Sequence, residues 1–166
     1  MGNKIENDVK RLMRQAKDSM SSSNDIYPGS QQNHLLAKCV ELLGSVSHGE
    51  HYEALSVLLV QDGVRLIGFT NSGIVVATAT ESGDHGKDKN SYLRVLRIDD
   101  IDFSIIDAPS VSELHATEWD EWPGMATVQV SAGGEEIGRI FLNRINEGNA
   151  AALNLIYDAM RKRVGF

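Results

Sequence analysis

The spacing of apolar residues changes character twice along this chain, and those two changes restrict its fold more than any other feature. Ile5, Val9, Leu12, Met13, Ala16 and Met20 recur at intervals of three and four, the stripe of an amphipathic helix of about four turns. Lys10, Arg11, Arg14 and Lys17 fall mostly on its other sides. A polar run at residues 21–25 breaks the pattern, and Pro28-Gly29 turns the chain. A second helical stripe follows in Leu35, Leu36, Cys39, Val40, Leu43 and Val46, with Gly49 marking its end. From Tyr52 the interval falls to two, or to short continuous apolar runs, as in strands. Helical spacing returns only at the close. There Asn146 can cap a helix with Leu153, Ile156, Tyr157, Met160 and Val164 on one face, and Gly165 stops it.

Between the helices the apolar runs at residues 55–60, 64–69, 74–80, 92–98, 101–105, 126–131 and 136–142 predict about seven strands. Gln61-Asp62-Gly63, Asn71-Ser72-Gly73 and Ala132-Gly133-Gly134-Glu135 separate neighbouring runs, and such residues tolerate the positive φ of a hairpin turn. The expected class is therefore α+β. N-terminal helices precede an antiparallel bent sheet or partly open barrel, which a C-terminal amphipathic helix caps. A chain of 166 residues with 42% hydrophobic and 23% charged residues suits one globular domain with a buried core. The period change divides it into a helical extension, residues 1–50, and a sheet domain, residues 51–166.

The second part resembles the bacterial pleckstrin-homology-like domains. Leu66, Ile67, Gly68, Phe69, Thr70, Asn71, Ser72, Gly73, Ile74, Val75 and Val76 are similar to the family's strand pair, in which a glycine-and-threonine segment leads into a turn and an apolar strand. Arg97, Ile98, Asp99, Asp100, Ile101, Asp102 and Phe103 resemble its strand, acidic turn and next strand. Phe141, between a glycine hairpin and the helix from Asn146, resembles the closing strand and helix. The resemblance implies a scaffold for recognising lipids, peptides or proteins rather than an enzyme. It does not extend to a family feature that bears on phosphoinositides: a basic residue after the first hairpin, where this chain has Ile74 and Val75.

Charge narrows the partner. Residues 1–50 carry six Lys or Arg and six Asp or Glu, whereas residues 51–166 carry ten against seventeen, so the second part holds the whole net charge of −7. Repulsion from phosphate argues against nucleic acid or an anionic membrane as partner. Arg161-Lys162-Arg163 is the one basic cluster, and cations in a helix's last turn are favoured by its dipole. The single cysteine, Cys39, lies in an apolar stretch and cannot form an internal disulfide, which points to a buried small hydrophobe and a reducing, cytoplasmic setting. The N-terminus lacks the apolar core of a signal peptide, and Glu6 stands where a myristoylation motif needs Ser or Thr.

No motif calls for a cofactor, a metal or a catalytic group. His48, Glu50, His51 and Glu53 gather ligand types, but Gly49 interrupts the helix that would align them, and the HExxH zinc pattern is absent. Asp99, Asp100, Asp102 and Asp107 lack EF-hand spacing; on a strand Asp100 and Asp102 share a solvent face while Ile101 and Phe103 turn inward. Residues 83–87 have neither the spacer nor the Ser/Thr of a phosphate loop, and no nucleophile elbow occurs. The most distinctive segment is acidic residues 118–124, which hold both tryptophans. Either ring covers a sheet edge or serves as an interface anchor.

The expected function is a non-enzymatic protein-interaction module with Trp119, Trp122, Asp120, Glu121, Asp100 and Asp102 as contacts. A second expectation is a small acidic inhibitor or immunity-type protein filling another protein's basic active-site cleft. The stripe of Ile5, Val9, Leu12, Met13 and Met20 either packs on the sheet domain or serves a partner or a second copy of the chain.

Overall fold

A computed structural model describes residues 2–20, 26, 28–81, 89–107, 125–143 and 147–166. The α+β class holds. Among the described residues three helices accompany two antiparallel sheets, and no barrel closes. The seven strands, expected as a bent sheet or partly open barrel, form a four-stranded sheet in the order β1-β2-β3-β4 and a three-stranded sheet in the order β5-β6-β7. Contacts divide the chain into two compact units, residues 1–95 and 96–166.

The first unit begins with α1 (Gly2–Ser19) and α2 (Gln31–Ser47). Ser30 caps α2, its hydroxyl accepting the Asn33 amide at 3.2 Å. His48 ends it in the left-handed region at φ 48°, and Gly49 follows at φ 92°. The strands β1 (Ala54–Val60), β2 (Gly63–Thr70) and β3 (Gly73–Glu81) form a meander, with β4 (Lys89–Arg97) beside β3. Asp62 takes φ 56° in the first hairpin, as the Asp-Gly pair requires.

One core binds these elements. Leu12 and Ala16 of α1, Leu36, Cys39, Val40 and Leu43 of α2, and Val64, Leu66, Ala77 and Ala79 of the sheet are all buried within it. The expected stripe on α1 thus faces its own chain: Leu12 is fully buried, and Val9, Met13 and Met20 pack against the same core. The side chain of Ile5 lies outside the described residues. Polar contacts reinforce the seat of α1. Arg11 donates to the Glu50 carbonyl at 3.2 Å and to Nδ1 of His51, while Gln15 donates to the Tyr52 carbonyl at 3.2 Å.

On α2 the stripe stops short of its expected end. Val46 is exposed, and Ser47 is buried one position on. Both faces of β2 and β3 are buried, Leu66 and Ala77 on one and Ile67, Phe69, Ile74 and Val76 on the other. That explains why these strands read as continuous apolar runs rather than alternations.

The second unit opens with a 3₁₀ turn at Ile98–Asp100 and continues through β5 (Asp102–Asp107), β6 (Met125–Ala132), β7 (Glu135–Asn143) and α3 (Glu147–Val164). Gly133 and Gly134, at φ 59° and 80°, make the two-residue β6–β7 turn. One sheet face buries Phe103, Ala126, Val128, Val130, Ile140 and Leu142. α3 packs on β7 and buries Ala152, Leu153 and Ile156.

Val164, expected on that stripe, is exposed at the last position of α3, and Gly165 then turns the chain at φ 95°. The amides of Gly165 and Phe166 both donate to the Arg161 carbonyl at 3.0 Å, closing the helix. Asn146, the expected cap of this helix, lies outside the described residues. No described helix is long and apolar enough to cross a membrane.

Candidate functional site

The solvent face of the three-stranded sheet follows from strand register. Asp102 opposes Ser131, which opposes Glu136; Ser104 opposes Gln129 and then Arg139; Asp107 opposes Thr127 and then Phe141. Residues directly opposite one another share a face, so these nine side chains form three rows on the side away from the buried set. A bulge between Ile105 and Asp107 inserts Ile106 as an extra residue, and it too is exposed. Phe141 is 54% exposed although it lies in the apolar run Ile140-Phe141-Leu142, whose flanking members are 1% and 0% exposed. An aromatic ring held in water by a rigid strand favours burial against a partner, because covering it removes a large apolar area from solvent.

Electrostatics on this face are mainly acidic. Arg139 donates to Glu136 at 3.0 Å, and Gln129 donates to the other oxygen of the same carboxylate at 3.3 Å. Asp102 faces Arg163 at 3.9 Å with a side chain 79% exposed, a loose pair that leaves its carboxylate accessible. The guanidinium of Arg163 is committed elsewhere, donating to the Ile98 carbonyl at 2.8 Å and to the Ile101 carbonyl. Those bonds hold the acidic 3₁₀ turn against the end of α3. Asp100 therefore sits in that turn, not on the strand beside Asp102 as expected; both are exposed, with Ile101 and Phe103 buried between and beyond them.

Trp119, Trp122, Asp120 and Glu121 lie outside the described residues. The histidine cluster is split by geometry: His48 is the left-handed residue ending α2, while His51 accepts from Arg11. Among the described residues no group of three or more His, Cys, Asp or Glu side chains gathers as a metal site. Cys39 is fully buried, and burial pushes its thiol up to about 12, so it is protonated and unreactive at neutral pH. Tyr52 is likewise pushed up to about 12 by burial, and its hydroxyl donates to the Leu43 carbonyl at 3.1 Å.

Sequence reasoning did not select Phe141 as a contact residue. The usable signal was its parity with Arg139, two residues earlier on the same strand, which a continuous apolar run conceals. Compared with protein-family models, curated proteins and solved structures, the chain matches none.

Proposed function

We propose that this chain is a non-enzymatic protein-interaction module on a pleckstrin-homology-like scaffold, with the solvent face of β5, β6 and β7 as its contact surface. The observation that carries this reading is exposed Phe141 in one row with Asp107, beside exposed Ile106. Interface anchors combine an aromatic ring with a rim of polar groups, and this face supplies both. The strand order, closed by a helix after the last strand, supports the scaffold that the sequence resemblance implies. Residues 96–166 hold twelve Asp or Glu against six Lys or Arg, which favours a partner with a basic surface.

Affinity capture from the source cell with wild-type, Phe141→Ser and Asp107→Asn baits tests this. A protein retained by the wild type and lost with Phe141→Ser supports the reading; the same set on every bait contradicts it.

The charge imbalance also favours a second reading, an acidic inhibitor seated in a basic cleft. Its mark is kinetic. Association with the captured protein should slow by about tenfold or more from low to physiological ionic strength, and binding should abolish that protein's own activity, whereas a contact module should leave the activity intact.

A further inference from the structure

Apart from the contact surface of the second unit, the first unit has a cleft of about 340 Å³ where α2 passes the β3–β4 edge. Leu35 and Ala79, which are 6% and 1% exposed, contribute apolar wall, and His34, Lys38, Asn90 and Ser91 supply the polar lining. This volume lies at the lower end of small-molecule sites, which run from about 300 to 1,000 Å³ and join apolar walls to a few placed polar groups. His34 and Lys38 are four residues apart on α2, so both present toward the same side. No described lining residue is acidic. Lys38 therefore supplies positive charge to a lining in which no described carboxylate offsets it. Lys38 contacts Glu41 at 3.4 Å, but both side chains are more than half exposed, a weak pair that a ligand can displace.

We propose that this cleft binds a small anion carrying an apolar body, its head group between Lys38 and the Asn90–Ser91 edge and its body against Leu35 and Ala79. Donors come from two elements, α2 and β4, so head-group recognition depends on their register and not on a single flexible side chain.

The test is a titration of the full chain with phenyl phosphate, and separately with inorganic phosphate, following the ring signals of its five histidines by NMR. The expected result is a saturable shift of His34, with the other rings unmoved and inorganic phosphate binding at least about fivefold more weakly for want of the apolar body. Lys38→Gln, at an exposed position, should weaken phenyl phosphate by about tenfold, the loss of one charge-assisted hydrogen bond. Asn90→Ala serves as a second variant on the opposite wall and should weaken binding about threefold. A shift that does not saturate, equal binding of the two phosphates, parallel shifts of all the histidines, or unchanged affinity in both variants overturns the proposal.

Discussion

Tyr52 and Gly68 are fitted to each other. A Cβ added at Gly68 would stand 2.6 Å from Tyr52 Cδ1 and 3.2 Å from a Leu43 methyl. The ring cannot swing away without losing its hydrogen bond to the Leu43 carbonyl. Gly68→Ala should therefore destabilise by about 1–3 kcal/mol through overpacking, read by urea denaturation; an unchanged midpoint would show that the ring relocates freely. The same neighbourhood sets a pH dependence. Tyr52 and Cys39 each have a folded pKa raised by burial to about 12, from 10.0 and 9.0. The unfolded chain therefore loses these protons first, so the stability they support is complete below pH 9 and lost as pH rises towards 12. Tyr52→Phe should flatten the upper part of that decline in denaturation midpoints measured from pH 8 to 11. An identical slope would remove Tyr52 as its cause.

At the level of elements, α1 belongs to the first core. Leu12→Ala removes a fully buried side chain shared with α2 and the sheet, and should cost about 2–5 kcal/mol. A helix that docks only loosely would lose far less, so a change below about 1 kcal/mol in denaturant unfolding contradicts this packing. Arg163 has a comparable role in the second unit, where its guanidinium satisfies the Ile98 and Ile101 carbonyls. Arg163→Ala should speed amide exchange in residues 98–102 and cost about 1–2 kcal/mol.

Helices, hairpins and their order were readable from periodicity, because the stripes of α1 and α2 and the Asp62-Gly63 and Gly133-Gly134 turns are local properties. The split into two sheets was not. β4 and β5 fall in different sheets, and the 3₁₀ turn at Ile98–Asp100 between them in sequence is tied to Arg163 by a bond spanning more than sixty residues. The outward Phe141 was hidden for a related reason: a run of three apolar residues does not declare which member faces water.

Across the whole chain, charge is unequally shared between the two units, whereas both expose apolar side chains, Leu59, Tyr92 and Val95 in the first. The second unit carries a net −6 of the total −7 and presents Ile106 and Phe141 at its surface. Charge of this kind governs encounter rate and salt sensitivity, while a desolvated ring governs residence time. The two contributions can therefore be separated in one binding experiment on the captured partner. Because Phe141 is already half in water, replacing it removes little that holds the fold together, so affinity rather than stability should respond. The most direct measurement is the dissociation constant of that partner for the wild-type chain and for Phe141→Ser, beside the Tm of each. The contact-face account predicts binding weaker by about thirtyfold, as for an interface hot spot, with Tm within about 2 °C. Equal dissociation constants, or a Tm lower by several degrees, would contradict it.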